Sequence, residues 1–364
     1  MQLAPMELPA LSPAPLVSVI VSNYNCKRFL AGCIDCVRNQ TYPHVEIVVC
    51  DDGSTDGSLF ELERLQADSP TLRVLAQPNG GQASAWNTAV KAARGDVLAF
   101  LDPDDRFLEQ KLERVVEAFR SNPDAGICVH QWIVCDEDGS NQAHQYPVRL
   151  EGGWLGEVAL RRGGNGQWLP PTSGISIRRE VAEQIFPIPD MNRLACPDGY
   201  VLGVGQFLAR FVAIDAVLMH YVAHDSNTVM RKALSLASLT SLLRIHEAQH
   251  AQIREWLHIT VNPALAAQLD LLDSESYVEY SLAVQLLDDS CSPRTVAFSS
   301  SVLLRRLPRT PRRWIWMILF RLPTSLGRRL FRLWWSPAPW KRWGRRLSGV
   351  LGVRVGATML ETTR

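Results

Sequence analysis

The chain of 364 residues has no apolar run long enough to cross a lipid bilayer. The longest candidate in its C-terminal part, residues 314–320, holds seven apolar residues between Arg313 and Arg321, whereas a spanning helix needs about 20. The first sixteen residues lack a basic start and a long apolar segment, and four of them are prolines. These absences argue against a transmembrane helix and a secretory signal, and they favour a cytoplasmic protein.

Cysteine is sparse and shows no framework spacing. The eight cysteines are Cys26, Cys33, Cys36, Cys50, Cys128, Cys135, Cys196 and Cys291. Scattered through a chain of this length, they suit buried or reduced thiols better than a set of disulfides. Cys33 and Cys36 have C-x-x-C spacing, but they fall in the middle of a predicted helix rather than at its start, which disfavours a redox role.

Acidic residues are almost missing from the C-terminal part. Residues 301–364 contain 15 Lys and Arg, one acidic residue and six of the eleven tryptophans. The preceding 300 residues contain 23 basic and 36 acidic residues. An acidic body and a basic, Trp-rich tail indicate two different roles within one chain.

The N-terminal part alternates predicted strands with predicted helices. The strands are 16–22, 45–50, 72–77, 97–101 and 125–135, and the helices are 27–39, 56–68, 82–94 and 107–121. Ser54, Thr55 or Asp56 would cap the second helix. This alternation predicts an α/β fold with a mostly parallel central sheet and helices on both faces. Further on, we expect long loops over 139–175, late strand structure over 207–219, a helical region over 233–287 and a tail from about Ser300.

Acidic turns directly follow two of the predicted buried strands. The first is Asp-Asp-Gly-Ser-Thr-Asp at 51–56, and the second is Leu-Asp-Pro-Asp-Asp at 101–105. Carboxylates gathered where strands end are well suited to hold a hard divalent cation and a diphosphate. In open α/β sheets, ligands bind just beyond the carboxyl ends of the strands.

Together with two further segments, these turns resemble the family 2 glycosyltransferases of the GT-A fold. The matching segments are 17–25 (VSVIVSNYN), 51–56 (DDGSTD), 79–82 (NGGQ) with Asn87, and 95–105, which begins Gly-Asp and ends Leu-Asp-Pro-Asp-Asp. Their order and spacing make the resemblance specific, although any one alone would be weak. It covers about residues 15–228, and we expect a helical extension over 229–300 and a membrane-associating tail over 301–364.

The resemblance assigns donor and metal contacts by position. It implies that Ser22 and Tyr24 lie beside the nucleotide base and that Asp52 hydrogen-bonds the base or the ribose. Gly53, Gly80 and Gly81 would allow tight turns close to the nucleotide-sugar. Asp102 and Asp104 match the DxD signature: Asp104 is the first candidate for a Mn²⁺ or Mg²⁺ ligand, and Asp102 would contact ribose or a metal-bound water. Asp51, Asp56 and Asp105 suit turn or cap roles better.

The resemblance also implies a catalytic base and a closing histidine. The family places its base at the start of a downstream helix, and the matching segment here is Cys-Pro-Asp-Gly-Tyr at 196–200, so Asp198 is the candidate base. The family usually has a Glu-Asp pair at this position, whereas this chain has Pro-Asp. The segment 222–227 resembles the closing His motif, which makes His224 a further metal or diphosphate candidate beside a structural role. Trp86 stands where many relatives carry Arg, which puts a phosphate contact there in doubt.

The implied activity is sugar transfer from a nucleotide-diphosphate sugar to a hydroxyl group, with a metal ion and with inversion at the anomeric centre. A metal ion would stabilise charge on the leaving diphosphate, and a carboxylate would take the acceptor proton. A glycan or lipid-linked glycan is the expected acceptor, and a hexose or N-acetylhexosamine the expected sugar. A nucleotidyltransferase and a non-catalytic nucleotide-sugar-binding protein are the alternatives.

Residues 246–250, His-Glu-Ala-Gln-His, match the zinc-protease motif H-E-x-x-H. The extended form of that motif requires Gly at 253 and His at 256, where this chain has Ile253 and Trp256. A zinc site is therefore disfavoured.

The tail interleaves arginines with tryptophans and leucines, a pattern typical of helices that lie on anionic bilayers. We expect a peripheral protein on the inner face of the cell membrane. Packing of the tail on the acidic body is the alternative. Nucleic-acid binding is disfavoured, because the body carries no nucleic-acid motif.

Overall fold

The computed structural model describes residues 3–137, 145–146, 150–164, 170–189, 196–224, 235–288 and 293–335. The chain forms two compact units. The first combines Met1–Val222 with Ala248–Leu269, and the second combines Ala223–Glu247 with Asp270–Arg364. Much of the predicted loop region 139–175, residues 225–227 of the His motif and the tail beyond 335 lie outside the described residues. The domain limits inferred from the sequence, at 228 and 300, stay predictions.

One sheet of nine strands, counted over the described residues, forms the centre of the first unit. Its strands are β1 Val17–Asn23, β2 Val45–Asp51, β3 Leu72–Ala76, β4 Val97–Leu101, β5 Arg106–Phe107, β6 Ala125–Cys135, β7 Gln145–Tyr146, β8 Ile175–Arg178 and β9 Arg210–Val222. The spatial order is β3-β2-β1-β4-β8-β6-β9-β5, with β7 paired to β6.

The first four strands of this order are parallel, as the βα alternation predicted. Every residue of β1 and β4 is buried, which explains why β4 is a continuous apolar run rather than an alternating pattern. Strand β1 is buried along its whole length although it includes Ser18, Ser22 and Asn23. Strand β8 runs antiparallel to both β4 and β6, whereas β9 runs parallel to β6. The sheet as a whole is therefore mixed.

Helices cover the sheet. Those of the first unit are α1 Lys27–Arg38, α2 Ser58–Ala67, α3 Gln82–Ala92, α4 Lys111–Ser121, α5 Gly156–Arg161, α6 Arg179–Ile185 and α7 Pro197–Leu208. Helix α8, Leu236–Trp256, continues through a π-helical turn Leu257–Val261 to α9, Pro263–Gln268. In α1 the buried side chains recur on one face and pack toward the sheet; they are Phe29, Leu30, Cys33, Ile34 and Val37.

Two predicted elements differ from the structure. The predicted helix 107–121 begins only at Lys111, because Arg106–Phe107 forms β5 and pairs antiparallel with β9, Arg106 opposite His220. The predicted late strand 207–219 is displaced, since Phe207 still belongs to α7 and β9 runs from Arg210 to Val222. In both places, pairing with a distant strand decides the conformation, and such pairing leaves no local signal in the sequence.

The second unit is helical. It contains α10 Glu275–Leu287, α11 Pro293–Arg306, α12 Pro311–Arg321 and α13 Thr324–Trp335, with a short 3₁₀ turn at Leu271–Asp273. Trp316, Phe331 and Trp335 of the basic tail are buried in one core with Leu282 and Leu286 of α10. Part of the tail is thus an ordinary helical core. No helix in the described ranges is long and apolar enough to cross a membrane.

A buried carboxylate helps to hold these helices together. Glu279 of α10 is 4% exposed. It accepts hydrogen bonds from Arg312 and, at 3.3 Å, from Trp316 Nε1. Burial raises the pKa of Glu279 to about 7, although the Arg312 charge lowers it. On a neighbouring surface, Arg306 pairs with Asp270 and Asp273 at 3.2 and 3.0 Å. Several tail arginines therefore serve packing within this unit.

Candidate functional site

The carboxyl ends of β1, β2 and β4 meet at one edge of the sheet. In the parallel register Asn23 lies opposite Asp51, and Val21 lies opposite Leu101. The loops that follow these strands, with their acidic residues, therefore start side by side. This is the edge at which open α/β sheets bind ligands.

The outer carboxylates of the first acidic turn hold the turn itself. Asp51 accepts a hydrogen bond from Asn23 Nδ2 at 2.7 Å and another from the Ser54 amide at 3.0 Å. Asp56 accepts from the amides of Lys27 and Ser58 at 3.0 and 2.9 Å. These contacts agree with the turn roles inferred from the sequence. The N-cap of α2 is Gly57, without a side-chain cap bond, rather than Ser54, Thr55 or Asp56. Asp56, one residue before the cap, accepts from the first amide of the helix.

Asp52 fixes the glycine loop that precedes α3. Its buried carboxylate accepts from the amides of Gly80 and Gly81 at 2.9 and 2.7 Å and from Gln77 Nε2 at 2.7 Å. Gly81 adopts φ +87° and ψ 166°, a backbone region that is essentially restricted to glycine. Asp52 thus holds a backbone segment close to the edge where a nucleotide would bind. A direct contact of Asp52 or Gly81 with the donor stays a prediction.

The second acidic turn is a dense group of carboxylates. Asp102 Oδ1 accepts a hydrogen bond from Gln82 Nε2 at 2.9 Å. Burial raises the pKa of Asp102 well above its usual value, and the charges of Asp104, Asp105 and Asp198 raise it further, while a hydrogen bond with the Thr172 side chain lowers it. The largest charge effects on Asp102 thus come from neighbouring carboxylates, which disfavour its ionised form.

Asp105 ties the acidic turn to two later parts of the chain. Its Oδ2 accepts from Ser173 Oγ at 2.6 Å, and its Oδ1 accepts from the amide of Val222 at 3.1 Å. Ser173 Oγ in turn accepts from the Asp102 amide at 3.0 Å. The Ser173 carbonyl accepts from buried Lys111 Nζ at 2.5 Å. Asp105 is thus built into the structure and is not available as a simple helix cap, because α4 begins six residues later.

Asp198 lies beside this group, in the first turn of α7. Burial raises its pKa to about 6, against hydrogen bonds from the backbone of Gly199, Asp198 and Thr172. Thr172 therefore contacts both Asp198, through its backbone, and Asp102, through its side chain. The residue before the helix, Cys196, has φ +79° and ψ 57°, a left-handed conformation that is rare outside glycine.

The remaining residues singled out in the sequence take the following places. Ser22 is 9% exposed near the end of β1, and Tyr24, just beyond that strand, is 50% exposed. Trp86 is fully buried against Phe100, with ring centroids 4.6 Å apart, so it belongs to the core. His224 is buried and lies two residues beyond the end of β9. Contacts of Ser22, Tyr24 and His224 with a ligand stay predictions.

Two residues near the carboxylates were not singled out by the sequence. Tyr221 lies on β9, and its pKa is raised by burial and by the charges of Asp105, Asp104, Asp102 and Asp198. Cys26 lies just before α1, and its pKa is raised to about 12 by burial and by the charges of Asp104, Asp102 and Asp56. Neither has a motif of its own. Thr172 and Ser173 lie in the predicted loop region 139–175, in which no single residue was assigned a role from the sequence.

The donor set at Asp102 and Asp104 fits a hard divalent cation. Among the residues that the structure describes, no three His, Cys, Asp or Glu side chains are grouped closely enough to hold a metal by themselves. Mg²⁺ is commonly held by one or two carboxylates together with substrate phosphates and water. Two oxygen ligands in a cluster of mutually repelling carboxylates meet that requirement.

The residues of the H-E-x-x-H and C-x-x-C motifs serve packing. Burial lowers the pKa of His246 to about 4, and its ring packs 5.6 Å from that of Tyr280. Glu247 accepts from the Tyr277 hydroxyl at 2.9 Å. In α1, Cys36 Sγ donates to the Cys33 carbonyl at 3.0 Å, and burial raises the pKa of both thiols, which keeps them protonated and unreactive.

Comparisons with known proteins bear on the family and the fold. The model of a family described as Glycosyl transferase family 2 matches residues 18–186. An uncharacterized glycosyltransferase of Nostoc sp. is 38% identical over 227 residues, 62% of this chain and 69% of that protein. Hyaluronan synthase of Pasteurella multocida is 37% identical over 118 residues, which are 32% of this chain and only 12% of the synthase.

A solved structure shows the same fold. S. aureus TarS in complex with UDP-GlcNAc superposes with a TM-score of 0.54 at 15% identity, covering 80% of this chain and 82% of that one. The family match spans the acidic turns at the carboxyl edge of the sheet, and the Nostoc relative extends it over more than two thirds of its own length. The chain belongs to glycosyl transferase family 2 and is a glycosyltransferase with a GT-A type fold.

Proposed function

We propose that the protein transfers a sugar from a nucleotide-diphosphate sugar to a hydroxyl of a glycan or lipid-linked glycan, with a divalent metal ion and with inversion. The observation that carries the proposal is the position of Thr172, which contacts Asp198 through its backbone and Asp102 through its side chain. A proton acceptor and a candidate metal-binding carboxylate therefore flank one residue, as a single-step displacement requires.

Each residue has a distinct task in this proposal. Asp104, with Asp102 and His224 as further candidates, would hold Mn²⁺ or Mg²⁺, which supplies Lewis-acid stabilisation of the leaving diphosphate. Ser22, Tyr24 and Asp102 would bind the nucleoside. Asp52 and Gly81 would position the backbone beside it.

Asp198 would take the proton of the acceptor hydroxyl. The hydroxyl oxygen would meanwhile attack the anomeric carbon from the face opposite the leaving group. Attack from that side inverts the configuration. The pKa of Asp198, about 6, leaves the carboxylate ionised at neutral pH yet more basic than an ordinary aspartate, which suits a general base.

The relatives support the class of substrate without fixing it. The hyaluronan synthase relative and the TarS complex with UDP-GlcNAc favour a hexose or N-acetylhexosamine donor and a role in assembling cell-envelope polysaccharide. For this chain both are proposals, because it spans 12% of the synthase and is 15% identical to TarS.

We further propose that the protein is cytoplasmic and binds the inner face of the cell membrane through its second unit. Trp314 and Ile318 lie one turn apart on α12 and are 62% and 56% exposed. On α13, Leu326, Leu330 and Leu333 are also exposed. Exposed arginines occur on the same two helices, namely Arg321, Arg329 and Arg332. Apolar side chains flanked by arginine suit an anionic bilayer surface, and such a location would bring a lipid-linked acceptor within reach.

The transfer reaction is tested by product analysis. A panel of nucleotide sugars is incubated with the protein, Mn²⁺ or Mg²⁺ and acceptor glycans, and we expect release of a nucleoside diphosphate. Asp104→Ala and Asp198→Ala should lower kcat by about 10²–10⁴-fold, whereas Asp35→Ala, which removes an exposed carboxylate on α1, should leave it unchanged.

Other outcomes would identify the alternatives. Release of pyrophosphate would indicate a nucleotidyltransferase. Donor binding by calorimetry without turnover on any acceptor would indicate a binding protein. Wild-type turnover in both aspartate variants would show that the site has been misplaced.

A further inference from the structure

Helix α8 packs closely on α7, the helix that begins with Asp198. Gly199 and Gly203 lie one turn apart on α7. A Cβ built on Gly203 would lie 2.4 Å from Ile253 Cδ1, and one built on Gly199 would lie 2.2 Å from Gln249 Nε2. The two glycines therefore leave part of the α7 surface without side chains. Gln249 and Ile253, which lie one turn apart on α8, pack against it.

One of these side chains does more than fill space. Gln249 Nε2 donates a hydrogen bond to the Cys196 carbonyl at 2.8 Å. Cys196 is the residue in the left-handed conformation immediately before α7. A non-glycine residue keeps such a conformation only when its surroundings hold it, and Gln249 holds the carbonyl of that residue. Asp198 follows two positions later.

Gln249 belongs to the His-Glu-Ala-Gln-His segment that resembles a zinc-protease motif. In that segment His246 packs on Tyr280 and Glu247 accepts from Tyr277. The contact that reaches the carboxylate site comes from the glutamine, at a position that the motif leaves unspecified.

We propose that Gln249 is a positioning residue for the glycosyl-transfer reaction: through the Cys196 carbonyl it fixes the first turn of α7, and with it the Asp198 carboxylate beside Thr172. This inference rests on the proposed role of Asp198 as the catalytic base. Gly199 is part of the same contact, because any larger residue at that position would displace the Gln249 amide from the Cys196 carbonyl.

Loss of the Gln249 hydrogen bond should impair the chemical step more than donor binding. The predicted donor contacts lie at the ends of β1, β2 and β4 and in the glycine loop before α3, whereas the Gln249 side chain bonds to the residue before α7. A displacement of the base by about 1 Å lowers turnover by about 10²-fold. We therefore expect kcat to fall about 10–100-fold when the bond is lost, with the donor KM changed less than about 3-fold.

The test compares variants that differ in whether position 249 can donate a hydrogen bond. Gln249→Glu keeps the size and shape of the side chain, but an ionised carboxylate cannot donate to a carbonyl, so kcat should fall as far as in Gln249→Ala. A residue needed only for packing would tolerate this change. Gln268→Ala is the matched control, because Gln268 also donates to a backbone carbonyl, that of Ala264 at 3.2 Å, in the exposed helix α9.

Gly199→Ala tests the same contact from the opposite side. The new methyl group should displace the Gln249 amide and reproduce the kcat loss. The double variant Gly199→Ala/Gln249→Ala should be no slower than either single variant, because both remove one interaction. Losses that multiply would contradict the inference, and so would wild-type kcat in Gln249→Glu.

Asp198→Asn separates this inference from the proposed function. If Asp198→Asn turns over at the wild-type rate, the base assignment fails and the positioning role fails with it. If Asp198→Asn is inactive while Gln249→Glu and Gly199→Ala keep wild-type kcat and the wild-type pH dependence, only the positioning role fails. Thermal melting of each variant shows whether it is folded; if Gln249→Ala does not fold, the isosteric Gln249→Glu still decides the question.

Discussion

At the scale of single residues, the site is a set of carboxylates with different environments. Asp51 and Asp56 each accept hydrogen bonds from a residue nearby in the chain and from a distant residue, Asn23 and Lys27 respectively. Asp102 and Asp198, by contrast, face other carboxylates and have raised pKa values.

The raised pKa of Asp198 leads to a prediction about pH. Below its pKa of about 6 the carboxyl is protonated and cannot accept the acceptor's proton. The value of kcat/KM should therefore be level above about pH 7 and fall about tenfold per pH unit on the acid side of pH 6. Rates measured from pH 4.5 to 8.5 check this, and the residual activity of Asp198→Asn should not decrease in this way below pH 6. The same decrease in the variant would assign the titration to another group.

Sequence reasoning could single out Asp102, Asp104 and Asp198 as candidates, because each falls in a short segment with family-typical neighbours; their roles stay predictions. It could not find the contacts made by Thr172, Ser173 or Gln249. Gln249 lies 53 positions from Cys196, and Ser173 lies 68 from Asp105. Such contacts depend on where β8 and α8 dock, which a single sequence does not encode in any local pattern.

At the scale of elements, the glycine loop before α3 depends on one backbone conformation. Gly81→Ala would place a Cβ at φ +87° and ψ 166°. The free energy of unfolding should fall by about 1–3 kcal/mol. Donor affinity should also weaken, because the loop held by Asp52 would shift. Urea unfolding and donor calorimetry measure the two effects, and Ala67→Ser at an exposed end of α2 is the control. Unchanged stability would contradict the conformation described for this loop.

The helical unit should respond to pH through Glu279. Its pKa in the folded protein is about 7, raised from 4.5 chiefly by burial. A carboxyl whose pKa is raised by folding contributes stability that is full below pH 4.5 and is lost as the pH rises toward 7. We expect the free energy of unfolding to fall by on the order of 1–3 kcal/mol between pH 4.5 and 7.5.

Glu279→Gln should flatten this dependence, because an amide does not titrate. Glu275→Gln, on the exposed first turn of the same helix, should keep it. Urea midpoints at pH 5 and pH 7.5 for the three proteins make the comparison. The same slope in all of them would assign the dependence to another group.

The parallel strands β1 to β4 and their helices could be predicted from the sequence, because buried strands read as short apolar runs and amphipathic helices have a periodic pattern. Strand β5 could not, since two residues are too few for a pattern and their pairing partner lies in β9. The mixed character of the sheet also has no local signature, because it follows from the direction in which β8 enters between β4 and β6.

At the scale of the whole molecule, the basic tail contains two sets of large apolar side chains that its composition could not separate. Trp316, Phe331 and Trp335 are buried, whereas Trp314, Ile318 and three leucines of α13 are exposed. The first set accounts for a helical core. The second set supports the proposed membrane surface, because exposed apolar side chains on arginine-rich helices have little reason to exist on a face in contact with water.

Vesicle flotation tests that surface. The wild-type protein should float with vesicles rich in anionic lipid, bind neutral vesicles weakly, and release from the anionic ones as salt rises. Leu326→Asp/Leu330→Asp and Trp314→Asp/Ile318→Asp should each lower the bound fraction several-fold. Ile259→Asp and Phe60→Asp are matched controls, since these residues are 74% and 72% exposed on the first unit. Equal flotation of all variants would remove this face from consideration.

The position of Trp316 also limits how the chain can be shortened. The change in charge near residue 300 suggests a natural place to cut, yet a chain ending there would leave the apolar side of α10, with Leu282 and Leu286, uncovered. The truncated protein would aggregate through this uncovered apolar surface, independently of lipid. A loss of membrane binding in that protein would then be misread as evidence for a separable membrane anchor. Single side-chain changes on the outward stripe are the sound way to separate adhesion to a bilayer from collapse of the helices beneath it.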